Sequence, residues 1–493
     1  MAYWGVAYAS RPNYNNVWAS FDQKDLMQSV ATSHDLSREA MRHVAHLTPK
    51  ETALCNASQS RYPSRDIPFD FETSNRSYAE TMRKVYDEFG QEDLNVRCLF
   101  TDALMMTALR KIFDTHTGRP IAGRSEESNL REHPGILHLY IHHMEISANP
   151  AVALPAADFL RPLCPDGAHL KHMPSHLDVL VGGYRRSIGS NLEAVKADEK
   201  FRVRSGGTGF YTFYRLHDYH SLIYAAMLAG QSRVALEAVE GMEASITDDL
   251  LRTKLPPLAD WMEFFKSVRL HVYIRFDLWD AIKAYELPED QELYCVATTF
   301  AHYAKGLAWA VSGHLDKADK ERTLYQAAAT HIPPSRKDFP NTISDELRIA
   351  TAMLDGEIEY RRGNYSVAFK RLRDAIHYDD TLLYSEPWGW MQPTRHAFAA
   401  LSLEQGNVED ALQAYVEDLG LDDSLTRAHQ YPNNPWALHG YHECLVRPRR
   451  TDEARIIKKQ LDFALAWADV PIRASCACRL DVLKAVTDGC CHK

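Results

Sequence analysis

Four histidines in two matched pairs are the side chains of this sequence best suited to chemistry. His138 and His142 lie in HLYIHHMEIS, and 34 residues later His172 and His176 repeat their spacing in HMPSHLDVL. Residues four apart share one face of a helix, with Cβ atoms about 5 to 6 Å apart, so each pair offers two imidazoles side by side. Where the equivalent helices of a repeat stack as neighbours, the four rings converge. Converging neutral imidazoles make a transition-metal site.

Further donors fall in the same pattern. Glu145 follows His138 and His142 at i+7 and adds a carboxylate to their stripe, whereas His143 lies one residue round the helix and points elsewhere. Asp178, two residues after His176, suits an outer or capping role better than direct ligation. A third helix contributes His217 and His220 from YRLHDYHSLIY. Packed helices lie about 8 to 10 Å apart and metal to imidazole bonds are about 2.0 to 2.1 Å, so two or three helices suffice to surround one ion or two. Such a donor list suits Fe, Cu, Zn, Mn or Ni and exceeds the four ligands of a closed structural zinc site, which favours a catalytic ion with open positions. Glu145 would then be a ligand or a base. Tyr211, Tyr214 and Arg215 flank the entry of the third helix. There Arg215 could hold an anionic substrate group bidentately and a tyrosine could donate a proton. Spacings of this kind also arise by chance among 23 histidines, so the reading depends on the shared register.

These residues need helices to position them, and helical periodicity punctuated by Gly and Pro dominates the sequence. The segment GEIEYRRGNYSVAFKRLRDA sets Gly356, Gly363, Tyr365, Ala368 and Ala375 at tetratricopeptide spacing, with Asp380 where proline is usual. The turn glycine and the alanine five residues on recur as Gly406 with Ala411, Gly313 with Ala318 and Gly230 with Ala235; after Gly182, Ser187 takes the alanine's place. The expected fold is all-α, with tetratricopeptide-like helical hairpins stacked into a curved solenoid around a concave groove. Ten residues before a turn glycine stand His172, His220 and His396, on first helices that generally line the groove, so His172 and His220 are expected to look into one groove.

Three segments are expected: residues 1–130 with N-terminal helical repeats and irregular linkers, 131–245 with the central repeats and the metal site, and 246–493 with C-terminal repeats and a tail. Residues 56–76 and Thr115–Pro134 read as irregular from their turn-forming composition. The stretch KFRVRSGGTGFYTF, over residues 200–214 with Gly206, Gly207 and Gly209, reads as a loop, either a lid or a plain connector. Trp388 and Trp390 either wall the groove or pack at a repeat junction.

An apolar fraction of 45% and a charged fraction of 25% over 493 residues are those of a soluble globular protein. The net charge of −10 argues against a nucleic-acid-binding body, which needs a basic face. No membrane-spanning or secretory pattern stands out, so a cytoplasmic protein with no membrane partner is expected. A small-molecule substrate is the expected partner, with a homo-oligomer or a peptide as alternatives. Nine cysteines without dense even spacing read as free thiols; Cys476, Cys478, Cys490 and Cys491, the last beside His492, crowd the C-terminus, where they could bind a soft metal or oxidise. Phosphate-loop, dinucleotide-binding and serine-hydrolase signatures are missing from the sequence.

Across AYWGVAYASRPNYNN, HPGILHLYIHHMEIS, HLKHMPSHLDVLVGGYRRSIGSN and FYTFYRLHDYHSLIYAAM, the chain resembles a family of bacterial and fungal tetratricopeptide-domain proteins. The resemblance implies an α-helical repeat fold whose matching residues here are His138, His142, Glu145, His172, His176, His217 and His220. It implies no particular activity. The first functional expectation is a metal-dependent oxidoreductase acting on a small organic substrate, with one or two transition-metal ions, Fe or Cu ahead of Zn or Mn. Imidazole richness and the lack of a separate hydrolytic apparatus favour redox chemistry. A metal-dependent hydrolase is one alternative, and a non-enzymatic scaffold that binds a peptide in the groove is another.

Overall fold

Five glycines that punctuate the sequence end helices in one and the same way. Gly182, Gly230, Gly313, Gly363 and Gly406 all have positive φ, between 71° and 83°. At each, the glycine N–H donates to the carbonyl three residues back and the next N–H reaches the carbonyl five back, as in Gly363 to Tyr360 and Asn364 to Glu359. This is the Schellman C-cap, which favours glycine because a Cβ penalises the left-handed region. A helix then restarts within two residues, so each glycine becomes the corner of a helical hairpin.

The structure is a computed structural model that describes residues 1–14, 17, 18, 21, 23–67, 70–108, 133–206, 211–254 and 257–481. Among the described residues the regular elements are helices, apart from one two-stranded antiparallel ribbon in which Lys337 pairs with Thr342 and an isolated bridge between Lys254 and Pro257. They divide into two units, Met1–Leu163 with Lys254–Pro257 and Cys164–Thr253 with Leu258–Lys493. The division at Leu163 falls inside the expected central segment 131–245.

In the first unit the helices are α1 (Ala2–Ala9), α2 (Gln23–Arg42), α3 (Pro49–Arg61), α4 (Phe71–Phe89), α5 (Leu94–Met105), α6 (Pro134–Met144) and α7 (Leu154–Leu163). Thr48 and Glu51 form a reciprocal capping box at the start of α3. Helices α3, α4 and α5 enclose a core of Leu54, Tyr78, Met82, Val85, Val96 and Phe100. The expected irregular stretch 56–76 is shorter in the structure, because α3 runs on through Arg61 and Asp70 caps α4. Of the stretch Thr115–Pro134, residues 115–132 lie outside the described residues, and Pro134 opens α6 at a position where its missing N–H costs no helical bond.

The second unit begins with α8 (Ala168–His172), α9 (Pro174–Leu180), α10 (Tyr184–Ser205), α11 (Tyr211–Ala229) and α12 (Ser232–Glu243). The short helices α13 (Asp248–Leu251), α14 (Leu258–Met262), α15 (Val268–Arg275) and α16 (Trp279–Ala284) follow. Three hairpins complete it: α17 (Cys295–Val311) with α18 (Leu315–Ala329), α19 (Ile343–Arg361) with α20 (Tyr365–Asp380), and α21 (Thr394–Glu404) with α22 (Val408–Leu419). Last come α23 (Pro435–Val446) and α24 (Thr451–Leu465). Ala235, Ala318, Ala368 and Ala411, five residues after the turn glycines, are fully buried, as is Ser187 in their place.

The described parts of the stretch 200–214, expected as a loop, begin and end in helix: α10 continues to Ser205, aided by the Glu199–Arg202 pair and by Arg202 and Arg204 near its negative end, and α11 opens at Tyr211. Gly206 caps α10, whereas Gly207 and Gly209 lie outside the described residues. Of the C-terminal cysteines, read as free thiols that could bind a soft metal or oxidise, Cys476 and Cys478 are joined by a disulfide, their Cα atoms 5.2 Å apart. Cys55, Cys98, Cys164, Cys295 and Cys444 are free, and Cys490, Cys491 and His492 lie outside the described residues. Among the described residues no helix is long and apolar enough to cross a membrane.

Gly356 shows why small residues recur inside hairpins. A Cβ there would stand 2.9 Å from Leu372 of the partner helix α20. Gly363 has open space around it but a φ of +83°. Gly356→Val is expected to destabilise by about 1–3 kcal/mol through overpacking, and Gly363→Ala by about 1–2 kcal/mol through backbone strain alone. Urea unfolding of the two variants checks both figures.

Candidate metal centre

Helices α8 and α9 form one helical run with a single interruption. Pro174 has no N–H to donate, yet Met173 before it keeps helical angles, φ −47° and ψ −41°. His172 and His176 therefore stay on one face although they belong to two helices. Their Nε2 atoms lie 2.6 Å apart, and His217 Nε2 from α11 is 3.0 Å from His172 Nε2. Three imidazole nitrogens meet at one point.

Residues outside the expected ligand set decide which nitrogen of His172 is available. Its Nδ1–H donates to Asn191 Oδ1 on α10 at 2.7 Å, and the Asn191 amide is oriented by its own donation to the Ser187 carbonyl at 3.0 Å. That places the proton on Nδ1 and leaves a lone pair on Nε2. One lone pair can accept one hydrogen bond, but two Nε2 neighbours point at it. A neutral neighbour with its proton on Nε2 would satisfy that lone pair by one hydrogen bond, and a shared cation would satisfy all three nitrogens. Bonds of about 2.1 Å at tetrahedral or octahedral angles separate ligand nitrogens by about 3.0–3.4 Å; the 3.0 Å between His172 and His217 falls in that range, and the 2.6 Å between His172 and His176 is shorter. Burial and the three neighbouring imidazoles hold His172 well below the usual imidazole range, so it is neutral and fit to coordinate.

Behind the trio lies a carboxyl pair. Asp218 of α11 is buried, with Oδ1 3.5 Å from His172 Nδ1. Burial raises it well above the carboxylate range, and the neighbouring Asp198 raises it further. Asp198 is raised by its own burial, and Tyr211 donates its hydroxyl to it at 2.8 Å. His169 stacks on His172 with ring centroids 5.7 Å apart, and His169, His172 and Asp218 bring donor atoms within 4.8 Å of one another. Glu386 brings a carboxylate oxygen within 4.8 Å of a His176 ring nitrogen. Sequence reasoning missed Asn191, Asp198, His169, Asp218 and Glu386. Ser187 in an alanine position, with Asn191 one helical turn later, was the available signal for the first.

In the first unit, α6 carries His138 and His142 with ring centroids 4.8 Å apart at 73°, nearly the 4.7 Å and 77° of His172 and His176. The repeated sequence spacing thus repeats the local ring geometry. Glu145, at the C-cap of α6, accepts a hydrogen bond from His142 Nδ1–H at 2.9 Å, and both side chains are buried. This is an arrangement in which an outer carboxylate orients a ligating imidazole, and Glu145 also stands among the residues that could hold a metal directly.

His220 departs from the expected set. Its ring packs edge-on against Phe264 and Phe265, at 5.8 and 5.3 Å, instead of joining the trio three residues away. His217 and His220 are only about 60° apart around the helix by count, but α11 is buried on nearly all sides and each meets a different neighbour. His396, at the same register position as His172 and His220, lies in a separate network: Nε2–H donates to Asp418 and Nδ1 accepts from Arg275. The shared groove expected for these positions is not how they are arranged. Arg215 pairs with Glu199 at 3.0 Å and lies over the Tyr219 ring. Tyr214 stands edge-on to His169 at 5.7 Å.

No protein-family model matches the chain, and no curated protein matches it.

Asn191→Ala is expected to weaken metal affinity by about 10–100-fold while His172 remains, the usual effect of losing a partner that orients a ligand; chelator competition measures it. Burial lowers His220 to about 3, with His271 adding to the effect, and lowers His271 to about 4. Their folded values lie below the unfolded value of about 6.5, so the stability they confer is complete above that pH and is lost as pH falls toward 4 and then 3. Metal-free protein should therefore unfold more readily in urea at pH 5 than at pH 7, and His220→Phe should flatten that slope.

Proposed function

We propose that this chain is a metal-dependent enzyme in which His172, His176 and His217 hold a transition-metal ion, most consistent with an oxidoreductase using Fe or Cu on a small organic substrate. The observation that carries the reading is the meeting of three Nε2 atoms at 2.6 and 3.0 Å with the His172 proton fixed on Nδ1. Three neutral imidazoles are a borderline donor set that suits Fe, Cu and Zn. Asn191 and Asp218 stand behind His172 as the orienting groups such a centre requires. His138 and His142, with Glu145 behind them, are proposed as a further ligand pair in the first unit. The stacked-hairpin register supports a tetratricopeptide-like architecture for the second unit.

When bound, the ion would supply electron transfer or Lewis acidity. The residues supply the rest. His172, His176 and His217 fix the ion's position, and Glu386, near His176, is placed to accept a proton. A partly buried setting strengthens these electrostatic interactions by keeping water out.

Metal analysis of the untagged full chain tests this reading. Stoichiometric Fe or Cu is the expected result, with loss of at least nine-tenths of it, roughly a tenfold fall in occupancy, in His172→Ala and His176→Ala while the helical circular dichroism persists. Stoichiometric Zn would redirect the assignment to hydrolysis by metal-bound water. Protein that takes up none of these metals would overturn the enzyme reading in favour of a peptide-binding scaffold. Acidification below the imidazole value of about 6.5 should release the metal.

A further inference from the structure

The disulfide between Cys476 and Cys478 has a single residue, Ala477, between its ends. A disulfide holds a fold together mainly by restricting the unfolded chain, and that restriction weakens as the loop shortens. A loop this short leaves the bond little to do for stability. The segment around it is anchored by other contacts. The Ser475 carbonyl accepts from Arg275 at 3.1 Å, and the Ser475 hydroxyl donates to the His396 carbonyl at 2.8 Å. Arg361 donates to the Cys478 carbonyl, and Arg479 pairs with Glu443 through two nitrogens at 2.7 and 2.9 Å. These contacts hold the two cysteines side by side with or without the bond between them.

The two sulfurs stand in different surroundings. Cys478 is 4% exposed and belongs to the apolar core that contains Leu372 and Leu401. Cys476 is half-buried and lines a cleft of about 210 Å³ with Phe276, Trp436, Pro471 and Arg473. A cavity of about 150 Å³ suffices for benzene, so this one admits the arm of a small molecule. The backbone N–H of Cys478 donates to Cys476 Sγ at 3.2 Å. The sulfur that can be reached is therefore also the one with a donor aimed at it, while its partner is sheltered. Thiol exchange follows access, and a reachable sulfur backed by a sheltered one is the arrangement of an attacking and a resolving cysteine.

We propose that Cys476 and Cys478 are a redox-active pair that exchanges with a small organic thiol entering this cleft. The site stands apart from the histidine centre and does not depend on a metal there. A thiolate RS⁻ attacks Cys476 Sγ; the bond between the two sulfurs forms as the Cys476–Cys478 bond breaks. Cys478 leaves with the electron pair and takes up the proton that RSH gave to water. A second RS⁻ attacks the sulfur of R in the mixed disulfide, which releases RSSR and leaves Cys476 as thiolate, to be protonated from water. Two thiols are oxidised and one protein disulfide is reduced, and an excess of RSSR drives the same steps in reverse.

The test incubates the full chain, without oxygen, in graded ratios of glutathione to glutathione disulfide, then acidifies, alkylates and digests it with trypsin. Residues 474–479 leave as one peptide between Arg473 and Arg479, so mass spectrometry reads this pair apart from the other cysteines. The peptide is expected to pass from disulfide to dithiol across the series and to reach the same ratio from either direction. Cys478→Ser should collect glutathione on Cys476 at least about tenfold faster than Cys476→Ser collects it on Cys478, because only the first sulfur is reachable. Reduced thioredoxin, a protein dithiol, should act at least about tenfold more slowly than glutathione at equal thiol concentration. The double variant Cys476→Ser with Cys478→Ser should keep its circular dichroism and lose no more than about 2 °C in thermal midpoint. A pair that stays oxidised at every ratio, or stays reduced at every ratio, overturns the proposal. So do equal rates at the two sulfurs, exchange with thioredoxin alone, and a larger thermal loss in the double variant, which would make the bond a structural staple.

Discussion

The hydrogen bond from His172 Nδ1–H to Asn191 Oδ1 is the interaction on which the chemistry of this protein turns. It binds a run of helix interrupted at Pro174 to α10, and it decides which edge of the imidazole faces inward. With the proton committed to Asn191, Nε2 presents a lone pair to His176 and His217 in a buried setting. Desolvation holds His172 neutral, as does repulsion from the neighbouring imidazoles. Its Nε2 lone pair can then accept one Nε2–H from a neutral neighbour or bind a cation, and the proposed metal centre is the second of these.

His396 shows how strongly the partner groups control such a position. It occupies the same place relative to its turn glycine as His172, and it is equally buried. Yet Asp418 takes its Nε2 proton and Arg275 donates to Nδ1, so both ring nitrogens are saturated by the protein. His220, the third member of the set, meets Phe264 and Phe265 and remains a neutral ring in apolar packing. Three equivalent backbone positions thus carry the same side chain in three chemical environments. Backbone register fixes burial; the opposing hairpin supplies the chemistry.

Much of the architecture was legible in residue spacing. The turn glycines and the alanines five residues later marked hairpin corners and helix contacts because both requirements are local: a positive φ at the corner and no bulk where helices meet. The two His-x-x-x-His pairs were legible for the same reason, and their ring geometries agree within 0.1 Å and 4°. Trp388 and Trp390 proved to be packed side chains, and the former also lines the small space beside His176. In the stretch 200–214 the helices reach further in than its glycines suggested, because the charged residues before them extend α10 to Ser205 by favourable pairs and by the helix dipole.

By itself the sequence determined what depends on neighbours along the chain: helix, corner, the face on which two imidazoles lie together, and Glu145 within reach of His142. Only the tertiary structure decided which donors join His172, because Asn191, His217 and Asp218 reach it from other helices, and which expected donors do not. The same holds for Glu386, brought near His176 from 210 positions further along the chain. The physical reason is range. Backbone hydrogen bonds and helix faces are set within a few residues, whereas a side chain's protonation and its partners are set by whatever surface packs against it.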